Sequence, residues 1–186
     1  MRYEYCPKCG AKLIDKAAGD DGMVPYCETC GKFWFDSFAS CVIILVANER
    51  DEIVLLRQSY MSNEHMNFVS GYITPGETAE EAAFREVQEE LGLPLQRLEY
   101  AGTWWFGQGD MLMHGFLGTA KKQEFRLSPE VDAAEWIHWR EAPKYMYPDM
   151  PGNAQMGTYR IYAKRKSEQP EPTAQTDQPT QPERED

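Results

Sequence analysis

The sequence predicts an α/β protein in three parts: a cysteine-organised module over about 1–37, a domain of mixed strands and helices over about 38–166, and an acidic proline-rich tail over 167–186. Three observations carry this expectation. Two matched C-x2-C pairs stand near the start, short apolar runs alternate with stretches of helical spacing through the middle, and large apolar residues cease after Lys166. With 186 residues and 42% apolar content, the chain has room for one ordinary core plus a small appendage.

The first module rests on "CPKCG" at 6–10 and "CETCG" at 27–31, which place Cys6, Cys9, Cys27 and Cys30 as C-x2-C, seventeen residues, C-x2-C. Zn²⁺ favours four tetrahedral thiolates, and a two-residue gap followed by glycine turns both sulfurs toward one ion. The spacing predicts a zinc ribbon, and four thiolates leave no position for a reactive water, so the ion is expected to be structural. Disulfides do not suit a cytosolic chain, and a redox pair does not explain two matched knuckles. Cys41 lies in an apolar run and reads as a small buried residue. The aromatic stretch "KFWFDSF" is expected to pack the ribbon against the main domain, with ligand stacking as the alternative.

In the main domain, "CVIILVA" and "IVLLRQ" flank the turn-like "NERDE" and predict a hairpin of core strands. "MLMHGFLGTA" and "AAEWIHW" read as further strands, and "TAEEAAFREVQEEL" and "NAQMGTYRIYAKRK" as helices. The final "SEQPEPTAQTDQPTQPERED" has four prolines, six acids, one arginine and no large apolar residue, so disorder is expected; a charged interaction tail is the alternative.

The opening residues lack a secretory pattern, and "ASCVIILVA" falls short of the roughly 18 apolar residues of a membrane helix, so a soluble cytoplasmic protein is expected. A formal charge of −11, from 30 acids against 19 Lys plus Arg, argues against a general nucleic-acid binder. It is compatible with a small phosphorylated substrate drawn in by bound metal.

Within 71–93 stand six glutamates, one arginine and no lysine. At about 100° per residue, a helix over 78–91 puts Glu86, Glu89 and Glu90 in one narrow sector on its open side, while Phe84, Val87 and Leu91 share a sector for the core. Small Ala82 and Ala83 border the carboxylates, leaving room for a ligand. A solvated charged face is the plain alternative, but such faces alternate signs, whereas here like charges repel with only Arg85 nearby. The pattern predicts a Mg²⁺ or Mn²⁺ site.

Gly71, Glu77, Arg85, Glu86, Val87, Glu89, Glu90, Leu91, Gly92 and Leu93 complete the pattern G-x5-E-x7-R-E-U-x-E-E-x-G-U, U being aliphatic. In this the chain resembles the Nudix hydrolase superfamily. The resemblance implies an α/β/α sandwich on a mixed sheet and hydrolysis of a nucleoside diphosphate linked to another group. It implies Glu86 and Glu90 as principal metal ligands, Glu89 as an additional one, and Arg85 as the partner of Glu77. Gly71 and Gly92 would then allow the backbone turns at either end. A later ligand or base is implied in "SPEVDAAEWI", as Glu130 or, behind it, Glu135.

A zinc ribbon before such a domain, with "NFVSGYITPGET" and "PEVDAAEW", resembles the NADH pyrophosphatase branch, which cleaves NAD(H) to a mononucleotide and AMP. That branch carries S-Q-P-W-P-F-P-x-S after its box; "GTWWFGQGDMLM" stands here instead. Trp104, Trp105 and Phe106 are open to two readings, a stacking platform for a nucleobase or core filling. Members of the branch are often dimers, so a homodimer is one implied arrangement. Three functional classes follow: a pyrophosphohydrolase acting on NAD(H) or on ADP-ribose, a nucleoside triphosphate or capped RNA; a non-catalytic nucleotide sensor; and an RNA-directed protein using "YRIYAKRK". Placement of Arg160, Lys164, Arg165 and Lys166 near a helix C-terminus is the plain alternative to the last.

Overall fold

A computed structural model of the chain describes residues 2–168. The predicted tail lies outside the described residues apart from Ser167 and Glu168, which prolong the last helix. The N-terminal module is a small antiparallel sheet of β1 (Ile14–Ala17), β2 (Met23–Cys27) and β3 (Lys32–Phe33). The main sheet comprises β4 (Ala39–Ala47), β5 (Glu52–Arg57), β6 (Val69–Tyr72), β7 (Arg97–Phe106), β8 (Met111–Thr119) and β9 (Ala133–His138). Its order is β7-β8-β4-β5-β9, with β6 also pairing with β4. The β4–β8 pair is parallel and the others antiparallel, so the sheet is mixed, and the expected β4–β5 hairpin is present.

Helix α1 (Ala79–Leu91) covers one face of the sheet and α2 (Ala154–Glu168) the other. β4 is therefore buried on both sides, which explains its unbroken apolar run. Val42, Ile44 and Val46 join Val54, Leu56, Ala83, Val87 and Leu91 on the α1 side. Ile43, Leu45 and Ala47 join Ala154 and Tyr159 on the α2 side. These three layers are the expected α/β/α sandwich.

Local chemistry sets the ends of α1. Thr78 and Glu81 form a reciprocal cap: the Glu81 N–H donates to Thr78 Oγ1 at 3.2 Å, and the Thr78 N–H donates to Glu81 Oε2 at 2.8 Å. Gly92, with φ of 66°, ends the helix in the left-handed region and donates its N–H to Gln88 O.

The buried arc of α1 is rotated from the expected one. Phe84 is 44% exposed, whereas Ala82 and Ala83 are fully buried, so these alanines line the core and leave no room for a ligand. Small side chains let the helix approach the sheet closely, and a phenylalanine in that arc would hold it away. The aromatic stretch after the second knuckle also divides. Phe33 and Trp34 pack within the module on Tyr26 and Tyr3, Phe35 is exposed, and Phe38 meets the main sheet, edge-on to Trp105.

Candidate active site

Arg85 organises the acidic helix. Its Nε–H and one η N–H donate in bidentate fashion to Glu77 at 3.0 and 2.7 Å. Its other η N–H groups donate to Glu86 Oε1 at 2.8 Å, Glu89 Oε2 at 3.0 Å and the Tyr72 carbonyl at 3.0 Å. All five donors are thus engaged, and the arginine ties the end of β6, the loop bearing Glu77 and the helix together. The Arg85 guanidinium, helped by the Thr74 N–H, holds the Glu77 carboxyl down at about 2. Glu77 in turn raises Arg85 further, keeping it a permanent cation.

The three clustered glutamates differ sharply in exposure, and they do not share an open face as the helical spacing had suggested. Glu89 has 58% of its side chain exposed and Glu86 13%, while Glu90 is 4% exposed. The cause is the same rotation of α1, which turns Glu86 and Glu90 toward the sheet. Burial pushes the Glu86 carboxyl up against the opposing pull of Arg85. Burial and then the Glu86 charge push Glu90 up to about 8.

Gly71 lies in strand β6 and does not make a turn. A Cβ built there would stand 2.0 Å from Glu86 Oε1, so the glycine is the cradle that seats this carboxylate against the sheet. Glu90 Oε1 accepts from Gln58 Nε2 at 3.1 Å, but Glu90 Oε2 and Gln58 Oε1 are both buried without a hydrogen-bond partner. Lone acceptor oxygens in such surroundings fit a cation site, and the carboxylate donor set suits Mg²⁺ or Mn²⁺.

The loop after β8 reaches the same place. The Ser128 N–H donates to the Glu90 carbonyl, and the Glu130 charge acts on both Glu90 and Tyr60. Glu135 does not join them. It alternates on β9 with Ala134 and Trp136, which pack on the α1 side, and therefore faces the opposite layer.

The three aromatics of β7 separate by strand alternation. Trp104 fills space above Gly115 and Gly157, where an added Cβ would come within 2.3 Å of its ring, and so it belongs to the α2-side core. Phe106 shares that face. Trp105 is 48% exposed and points to the α1 side, the side of Glu86. Nearby on that side, Ser40 Oγ and His114 Nε2 lie 3.0 Å apart, and Val42 pairs with both His114 and Gly71, aligning the three across adjacent strands.

Sequence reasoning missed Gln58, Tyr60, Ser40 and His114. Period-two alternation from Val54 and Leu56 pointed Gln58 inward; the others carried no local signal. The cations of "YRIYAKRK" each have an acidic partner: Arg160 with Asp149, Lys164 with Glu168, Arg165 with Glu99 and Lys166 with Asp51.

In the N-terminal module the four expected sulfurs all lie within 4.8 Å of one another, with Cys6–Cys30 at 3.9 Å and Cys9–Cys27 at 3.6 Å. Zn–S bonds of about 2.3 Å in a tetrahedron require sulfurs about 3.8 Å apart, so the cluster fits this ion. Among the described residues, no helix is long and apolar enough to cross a membrane.

A family model described as the NUDIX domain matches residues 37–156. An NAD-capped RNA hydrolase NudC from Stutzerimonas stutzeri is 28% identical over 174 residues, covering 92% of this chain and 60% of the relative. Nudix hydrolase 19, chloroplastic, from Arabidopsis thaliana is 34% identical over 148 residues, covering 76% of this chain and 33% of the relative. The chain thus spans between a third and three fifths of these curated relatives. A crystal structure of a NUDIX hydrolase from Nitrosomonas europaea shares the fold, with a TM-score of 0.68 at 16% identity over 90% of this chain and 95% of that one.

Proposed function

This chain belongs to the NUDIX domain family, and on that premise we propose that it hydrolyses the diphosphate of a nucleoside diphosphate linked to another group. Glu86 and Glu90 hold Mg²⁺ or Mn²⁺, with Glu89 and Glu130 as additional ligands, and Cys6, Cys9, Cys27 and Cys30 hold a structural Zn²⁺. The observation that carries the reading is the buried, unpartnered Glu90 Oε2 beside the largely buried Glu86 carboxylate. A second acid so close in a dry site is costly unless a cation takes both.

When bound, the divalent ion supplies charge neutralisation at the phosphate oxygens and acidifies the attacking water. The chain's own residues do the rest. Gly71 seats Glu86, and Arg85, with every donor already used, keeps the carboxylates in place rather than clamping phosphate. Glu130, exposed on the loop that reaches Glu90, serves either as that further ligand or as the base that takes the proton of the attacking water. Trp105 offers a flat face for a base on the side of the sheet that carries Glu86.

The substrate we favour is NAD(H), cleaved to nicotinamide mononucleotide and AMP. The similarity to NudC proteins supports an NAD moiety, and the acidic chain with its paired α2 cations favours a small nucleotide over a polymer. The names of those relatives favour a second reading, the NAD-capped 5′ end of RNA. Incubation of the protein with NAD⁺, NADH, ADP-ribose, diadenosine polyphosphates, nucleoside triphosphates and NAD-capped RNA, with product identification, tests both. AMP plus the mononucleotide, requiring Mg²⁺ or Mn²⁺ and abolished by Glu86→Gln, is the expected result. No turnover of any of them with either ion would overturn the assignment.

A further inference from the structure

The geometry points to Gln58 as the residue that positions Glu90 for its cation, an inference that rests on the reading of Glu90 as a metal ligand. Gln58 directly follows β5 and is 3% exposed. Its backbone is fixed from both sides: its carbonyl accepts from the Met61 and Ser62 N–H groups at 2.9 and 3.1 Å, and the next residue, Ser59, donates its N–H to Asp132 Oδ2. The side chain therefore extends from a rigid turn onto the helix.

Its amide donates to Glu90 Oε1 at 3.1 Å. This leaves Oε2 as the carboxylate oxygen with no protein partner, and that oxygen is free for a cation. With Glu90 ionised, the amide cannot be reversed without setting two acceptors against each other, so one orientation is selected. The choice of side chain also follows. A lysine or arginine here would neutralise Glu90 and compete with the metal, and a carboxylate could not donate; the carboxamide orients the ligand without adding charge. Gln58 Oε1 is likewise buried without a donor, an acceptor left over on the side chain that orients Glu90.

The test replaces Gln58 with methionine, similar in length and unable to hydrogen-bond, and follows Mn²⁺ binding by loss of the free-ion electron paramagnetic signal. The expected result is an affinity lower by about 10–100-fold, with turnover recovered to within a few-fold at saturating Mn²⁺. A urea midpoint of the metal-free variant close to the metal-free parent's excludes a folding defect that Mn²⁺ would rescue by mass action, so recovery then reads positioning. Glu90→Gln is titrated alongside. If it leaves Mn²⁺ affinity unchanged, the assignment of Glu90 as a ligand fails and this inference falls with it. If it weakens binding while Gln58→Met stays within twofold of the parent, the inference alone is overturned. Should Gln58→Met not fold, side-chain amide resonances of the unaltered protein decide. The assigned Gln58 amide, buried in the fold, should be protected from exchange and should shift with Mg²⁺; if it does not shift, the inference fails.

Discussion

Replacing Gly71 with alanine separates catalysis from folding. The new Cβ would stand 2.1 Å from the Glu86 carboxylate carbon, where a relaxed contact needs about 3.5 Å. The carboxylate must then retreat by about 1.4 Å, several times the roughly 0.2 Å by which metal–ligand distances ordinarily vary. A displacement of about 1 Å in a catalytic group lowers rates by roughly 100-fold, equivalent to about 2.7 kcal/mol of transition-state stabilisation. Folding should hardly change. The clashing atoms end a flexible side chain, Gly71 has ordinary strand geometry, and alanine restricts the unfolded chain by no more than about 1 kcal/mol. Steady-state hydrolysis of the best substrate, with Mg²⁺ varied, should show kcat/KM down at least about 100-fold while urea denaturation shows a midpoint close to the parent. Activity within threefold of the parent, in a variant whose Cβ is confirmed in place, would refute the cradle.

Other perturbations probe different layers. Trp104→Ala empties the space above Gly115 and Gly157 and should cost about 3–5 kcal/mol in urea denaturation, whereas Trp105→Ala should leave stability within about 1 kcal/mol and raise KM for the nucleotide. Cys27, fully buried among the sulfurs, should release Zn²⁺ when changed to serine; elemental analysis should fall from one equivalent per chain, and the thermal transition should lose cooperativity. Because Glu90 has its pKa raised from 4.5 to about 8 by burial and by Glu86, the folded state without added Mg²⁺ or Mn²⁺ keeps a proton that the unfolded chain releases. Its contribution is complete below about pH 4.5 and is lost as pH rises toward about 8. Urea midpoints across that window should fall with pH in the parent and flatten in Glu90→Gln.

The parts of this fold that were legible in the sequence are those in which local chemistry and spacing agree. Cysteine pairs, apolar strand runs and a Gly-terminated helix each contain their own instruction, and the long acidic pattern carried the family with it. What was not legible depends on contacts between elements. The helical wheel grouped Phe84 with Val87 and Leu91 for the core, but the sheet selected Ala82 and Ala83 because closeness of approach mattered more. That rotation of α1 is also what buries Glu90 and leaves Glu89 in solvent, so a misjudged apolar arc and a misjudged acidic face have one cause. Gly71 invited a reading as a turn because glycine usually serves that role; only the carboxylate across from it reveals the close approach. The run Trp104, Trp105 and Phe106 stood open between stacking platform and core filling until strand pairing assigned alternate residues to opposite layers. Gln58 is the instructive intermediate case. Alternation along β5 could have turned it inward, yet nothing in the sequence says that Glu90, 32 residues away, would receive its amide. Side-chain pairings of this kind determine whether a set of carboxylates can hold a cation or merely carries charge.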